Sequence, residues 1–204
     1  VELGAEIVTP ARLVGRMLEV LRSDILPLTQ RGVERGNKIF GAAVLAKATL
    51  ELVVVGTNEE TENPLWHGEI SCLNRYWALP REERPKPTDC LFLSTHEPCS
   101  LCLSAITWSG FDNFYYLFGY EDSRDEFAIP HDLEILEEVF RCPGGNYAPQ
   151  NAYWTSYHLL ALIEEGTGEQ RRDWLERAGE LRRAYGVLSE TYQAAKSAGD
   201  IPLP

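Results

Sequence analysis

The chain reads as an α/β protein in which helices cover both faces of a mixed central sheet. Three observations predict this. Short apolar runs at residues 40–45, 52–55, 90–94 and 114–118 have the length and make-up of buried strands. Around them lie segments whose apolar residues recur at steps of three and four, the period of a helix with one buried face. The order is a helical start, two strands, then strands alternating with helices, which implies layers built around one sheet. With 204 residues, 44% hydrophobic and 25% charged, one such domain can bury a full core unaided.

Residues 10–21 place Val14, Met17, Leu18 and Leu21 on one helical face, with Thr9 as N-cap and Pro10 in the first turn. Pro27 should break or kink this helix before a second stretch that ends near Gly32 or Gly36. The runs at 40–45 and 52–55, joined by a polar link, should pair as neighbouring strands. A polar loop with Asn58 and Pro64 leads into a helix over 67–79, where Ile70, Leu73, Asn74 and Trp77 share a face and Pro80 closes the element. Residues 81–89 form a surface loop before the strand at 90–94. A helix from Pro98 through Trp108 stops at Gly110. The strand at 114–118 follows, and Leu133, Leu136, Val139 and Phe140 mark one more helix.

Residues 1–142 are therefore expected to form the main domain, and 143–204 a linker and C-terminal helical extension packed on it. In the extension Trp174, Ala178, Leu181, Tyr185, Leu188 and Tyr192 alternate steps of four and three. That stripe needs a cover, which its own domain, a second subunit or a substrate pocket could supply. Residues 198–204 are expected to be a loose tail.

The formal net charge of −12 sets the overall field against polyanions, so nucleic acid is disfavoured as a partner while small neutral substrates meet no penalty. Five cysteines, only two of them closely spaced, do not make a disulfide framework. The sequence shows neither a charged-then-apolar leader pattern nor an apolar run near eighteen residues, so the expected setting is a reducing cytoplasm, with no membrane.

The chemistry gathers in two short segments. His67-Gly68-Glu69 and Pro98-Cys99-x-x-Cys102 supply one imidazole, two thiols and one carboxylate. This is the equipment of a catalytic zinc site, with three protein ligands, a fourth position open to water and an acid/base beside it. A helix N-terminus favours the thiolate of Cys99, and Cys102 lies one turn on. Two thiolates neutralise Zn²⁺, so the bound water is acidified less than over three histidines, and a nearby base becomes useful. Glu69 is placed for that role. One zinc per chain is expected. The chemistry is attack of zinc-bound hydroxide on an amidine-type carbon with loss of ammonia, and the pattern H-x-E…P-C-x-x-C is the general signature of zinc deaminases acting on bases. A structural zinc knuckle, with Cys72 or Cys90 as fourth ligand, is the alternative. His96 is expected at the pocket edge, His131 and His158 as ordinary residues, and Cys72 and Cys142 as buried thiols.

At these residues the chain resembles the cytidine/deoxycytidylate deaminase superfamily, from about Val14 to about Phe140. Phe40-Gly41-Ala42, Asn58, Asn63-Pro64-x-x-His67-x-Glu69-Ile70, Glu97-Pro98-Cys99-x-x-Cys102 and Ala105-Ile106-x-Trp108 are most similar to the bacterial guanine deaminase branch. The resemblance implies a three-layer cytidine-deaminase-like fold with a mixed sheet of about five strands, commonly as a homodimer. It implies zinc on His67, Cys99 and Cys102, proton transfer by Glu69 and a substrate hydrogen bond from Asn58. It further implies base contacts at Phe40 and Ala42, Trp108 behind the pocket and Asp122 as an acidic pocket residue. Gly68 stands where the family usually has alanine, a departure that should be tolerated. Residues 81–89 and everything after Cys142 match no part of that branch.

The leading function is hydrolytic deamination of a free nucleobase or related heterocycle, with guanine first. Cytosine or cytidine deamination and tRNA adenosine deamination share the metal set, although the arginines of the last helix, such as Arg171, Arg172, Arg182 and Arg183, are interleaved with acids and make no basic patch. A non-catalytic zinc-stabilised module is the reading that Glu69 argues against.

Overall fold

The computed structural model describes residues 8–204; the first seven residues of the expected main domain lie outside the described residues. Helix α1 spans Pro10–Val20, and the Thr9 hydroxyl accepts the Arg12 N–H at 3.2 Å. Pro27 does not break the helical path. A π-turn over Leu21–Ile25 leads directly into α2, Leu26–Val33. Proline lacks an N–H and crowds the carbonyl four residues earlier, and the widened turn makes room for it. Gly36 then ends the element in the left-handed region, φ +92°.

Strands β1 (Gly41–Ala46) and β2 (Leu52–Thr57) pair antiparallel, with a register shift between Val44 and Leu45. Helix α3 covers Gly68–Ala78, β3 Cys90–His96, α4 Ser100–Trp108 and β4 Asn113–Phe118. Helix α5 is His131–Glu138, and β5 is Thr155–His158. Helices α6 (Leu159–Glu164) and α7 (Gly168–Ala195) complete the chain. The sheet order is β2-β1-β3-β4-β5; β1 meets β3 antiparallel, while β3, β4 and β5 run parallel.

Alternation along the strands divides the core in two. Ala43, Leu45, Leu91, Leu93, Tyr115 and Leu117 face α1, α2, α6 and α7, whereas Ala42, Val44, Phe92 and Phe114 face α3 and α4. The result is three layers, helices on both sides of a mixed five-stranded sheet. The stripe on α7 is covered by its own domain: Trp174, Ala178, Leu181, Tyr185, Leu188 and Tyr192 are all buried in the first cluster.

Several sequence expectations are corrected. The buried face of α3 is Glu69, Cys72, Leu73 and Tyr76, while Asn74 and Trp77 are exposed. Trp77 instead lies under the Arg84 guanidinium, 4.3 Å from its ring. Helix α4 starts at Ser100 with Cys99 as N-cap, not at Pro98. Val139 and Phe140 lie beyond the end of α5 and are exposed. The fifth strand falls after residue 142, within the stretch read as linker and helices. Residues 198–204 are not loose throughout, because Ile201 is buried in the α7-side core.

Candidate active site

The C-terminal end of β3 feeds α4, and the N-termini of α3 and α4 converge there. His67 caps α3 and Cys99 caps α4, each with extended backbone. Their side chains therefore meet where two sets of unpaired helical N–H groups point. Cys99 Sγ lies 3.4 Å and Cys102 Sγ 3.7 Å from His67 Nδ1. A tetrahedral zinc with bonds of about 2.3 Å to sulfur and 2.0–2.1 Å to nitrogen would hold such atoms about 3.6 Å apart. The donors thus stand at the edges of the polyhedron the metal requires. Among the described residues, His67, Cys99 and Cys102 form the one histidine, cysteine and carboxylate group so spaced. Neither alternative fourth ligand joins them: Cys90 begins β3, six residues (about 20 Å) from His96, and Cys72 is buried in the α3-side core.

The surroundings favour the thiolate of one cysteine and disfavour that of the other. Cys99 is held well below the ordinary thiol range by a hydrogen bond from Cys102 and by His67. Cys102 is pushed up by burial and by its neighbour's charge. Burial alone would lower the imidazole of His67, but the hydrogen bond and charge of Cys99, with Glu60 behind, raise it to about 9. Metal binding must therefore displace protons here.

Glu69 follows His67 on the first turn of α3 and is 4% exposed. Its Oε1 accepts the Ser94 hydroxyl at 2.7 Å, and Cys102 Sγ donates to its Oε2 at 3.2 Å. Burial and the Cys99 charge raise its pKa against the Ser94 hydrogen bond. A carboxyl so placed takes up a proton more readily than an exposed one and can release it to a stronger base.

Behind the ligands lies a network that the sequence did not reveal. Glu60 Oε1 stands 3.6 Å from His67 Nε2 and 3.1 Å from Lys38 Nζ, while its Oε2 accepts Asn58 Nδ2. The carboxylate orients the ring so that Nδ1 faces the sulfurs, the usual support of a metal-bound histidine. Asn58 is fully buried, and its N–H donates to the Phe40 carbonyl at 3.0 Å. Its Oδ1 has no partner, which leaves a buried acceptor facing no protein donor. Asp132, in the first turn of α5, lies within electrostatic reach of Cys99, His67, Glu69 and Lys38, and burial with the Cys99 charge raises its carboxyl well above the ordinary range. Spacing along the chain gives no signal for Lys38, Glu60, Ser94 or Asp132, because loops and strand ends bring them in from four separate segments.

Other expected residues fall differently. Phe40 is buried, with its ring edge-on to His96 at 4.7 Å. The Ala42 methyl is fully buried against α3 in the second cluster, so it is core and not a contact surface for a base. Trp108 is the last residue of α4, six residues and about 9 Å of helix beyond Cys102, and is 90% exposed. It does not lie behind the pocket. Asp122 is occupied structurally: its Oδ1 accepts Arg182 at 2.8 Å and its Oδ2 the Gly119 N–H at 2.9 Å. It lines a separate groove of about 550 Å³ with Glu97, Tyr147 and His158. Asp132, and not Asp122, is the acid after β4 that lies within electrostatic reach of the set. His96 is 1% exposed and boxed by Phe40, Phe118, Phe127 and Tyr185, with Nδ1 at 2.9 Å from the Thr95 hydroxyl and Nε2 unpartnered. His158 stacks on Tyr116, and His131 pairs with Glu134. Cys142 is only partly buried.

The family model for the cytidine and deoxycytidylate deaminase zinc-binding region matches residues 19–118. Residues 19–118, just under half of the chain, therefore carry a region similar to the zinc-binding region of that deaminase family. The match includes both metal-binding segments and strands β1 to β4. None of the curated proteins compared with the chain matches it. Among solved structures, a guanine deaminase from Nitrosomonas europaea is 20% identical, with 92% of this chain and 86% of that one covered and a TM-score of 0.51. A point mutant of NE0047 in complex with 8-azaguanine gives the same identity and coverage with a TM-score of 0.50. At this identity the likeness shows a shared fold. It extends past the family match into α7, since 92% coverage cannot be reached without part of that 28-residue helix.

Proposed function

We propose that the protein deaminates a free nucleobase or a close heterocycle, guanine first, and releases ammonia. The observation that carries this reading is Glu69, a buried carboxyl touching Cys102 yet outside the three-ligand set. Zinc, when bound, supplies Lewis acidity and an acidified water. The chain's own residues supply the rest. Glu69 takes a proton from water and returns it to the leaving amine, and its raised pKa suits a group that keeps the proton between those steps. Asn58 is oriented by Glu60, which takes its amide donor and leaves Oδ1 to accept a ring N–H. Asp132 gives a second acceptor. Besides the amino group that is lost, guanine carries two ring N–H donors, N1–H and an imidazole N–H, whereas the cytosine ring carries one and its nucleoside none. The motifs around Asn58, Pro64 and His67 favour the same branch.

An ammonia-release screen over bases, nucleosides and nucleotides tests this, with one clear preference expected because a hydrogen-bonding pocket rejects analogues lacking the matching group by roughly 10⁴-fold. Glu69→Ala should lose at least on the order of 10²-fold in turnover while keeping its zinc. Near-normal turnover in that variant, or editing of tRNA with free bases inert, would contradict the reading.

The setting follows from the same features. Because β5 completes the sheet and α7 covers it, we propose that the deaminase domain extends past residue 142 and includes the segment read as an extension, in a reducing cytoplasm where thiolate ligands persist. No helix among the described residues is long and apolar enough to cross a membrane. A homodimer is proposed through α3 and α4, where Trp77, Leu101 and Trp108 are exposed and Trp77 Nε1 donates to Ser109. Trp108→Glu should give monomers in light scattering; an unchanged mass would count against this surface.

A further inference from the structure

A strained turn separates β4 from the acidic residue of the site. Ala128 has φ +54°, a backbone region that an L side chain rarely adopts. Such a conformation persists only where its surroundings hold it. Both carbonyls of the turn are held by α7: Ser189 Oγ donates to Phe127 O at 2.6 Å, and Gln193 Nε2 donates to Phe127 O at 3.1 Å and to Ala128 O at 2.9 Å. Ser189 and Gln193 lie one helical turn apart, so one face of α7 grips the turn twice. The Phe127 ring is fully buried and packs edge-on to His96 at 5.2 Å and Phe118 at 5.1 Å. On the far side Ile129 N bonds Ser123 O, Pro130 caps α5, and Asp132 follows in its first turn. Neither Ser189 nor Gln193 belongs to the metal set.

We propose that Ser189 and Gln193 are positioning residues for the reaction: by fixing the turn at 127–128 they set where α5 begins and so where the Asp132 carboxyl stands. The proposal rests on the functional reading above. It makes the C-terminal helix part of the working site and not merely a cover for the sheet. Small misplacements of a group acting on substrate are costly; a shift of about 1 Å can lose on the order of 10²-fold.

The test uses the full zinc-loaded chain with Ser189→Ala and Gln193→Ala, singly and together. The double variant should keep one zinc per chain but lose roughly 10-fold to 100-fold in kcat/KM. Ala128→Gly in the same background should recover part of the loss, since glycine holds the left-handed conformation unaided. In an Asp132→Asn background the double variant should cost little more, because the residue being positioned is already disabled. Hydrogen exchange should quicken at 127–134 and stay unchanged in β3 and α4. Wild-type turnover per zinc together with unchanged exchange at 127–134 would overturn the proposal, as would an equal loss in the Asp132→Asn background. Should the wild type release no ammonia from any heterocycle, the functional reading fails and the exchange measurement decides alone: quickened exchange confined to 127–134 upholds the grip of α7, and unchanged exchange overturns it.

Discussion

His96 shows how one residue links the core to the site. It ends β3, three residues before Cys99, and burial followed by the Arg182 charge lowers its pKa to about 3. The folded chain thus keeps the ring neutral where the unfolded chain, with an ordinary value near 6.5, takes up a proton. Its contribution is fully present above about 6.5 and is lost as pH falls from there toward 3. Between pH 7 and pH 5 the loss should be about 2 kcal/mol. Denaturant unfolding of wild type and His96→Gln at the two values, with zinc saturating, reads the difference. The variant should fall by that much less, and an equal fall in both proteins would refute the assignment. The meeting of His67, Cys99 and Cys102 with Glu69 beside them was legible in the sequence because each motif is contiguous and its spacing is dictated by a helix N-terminus. Lys38, Glu60 and Asp132 were not, since a lone acid or lysine in a loop looks the same whether it faces water or a metal ligand.

At the scale of elements, the site depends on how closely α3 approaches the sheet. A Cβ on Gly68 would stand 2.7 Å from Gly41 Cα and N, and one on Gly56 would stand 2.4 Å from Cys72 N. These contacts are with backbone, so no side-chain adjustment relieves them. Gly68, read in the sequence as a tolerated departure from alanine, is here the residue that lets α3 lie against β1. Gly68→Ala should destabilise the fold by about 1–3 kcal/mol, as overpacking does, and weaken zinc binding because His67 and Glu69 flank the displaced residue. A thermal midpoint and zinc affinity equal to wild type would show that β1 and α3 can separate freely. Strands β1 to β4 could be read from their apolar runs. Strand β5 could not: Thr155–His158 has four residues, all half-buried, with neither alternation nor a continuous apolar run.

For the whole molecule, the layered architecture followed from the alternation of strand and helix patterns, and the long stripe on α7 fitted its own domain once the sheet face was in place. The net charge of −12 sets the field against polyanions, and the carboxyls Glu60, Glu69 and Asp132 lie within electrostatic reach of the His67, Cys99 and Cys102 set. That balance makes an open three-ligand zinc centre the central claim. X-ray absorption at the zinc edge, on protein purified without chelators, tests it most directly. The account predicts one zinc per chain with two sulfurs at about 2.3 Å and one nitrogen and one oxygen at about 2.0–2.1 Å. A third sulfur, or a protein preparation that binds no zinc at all, would contradict it.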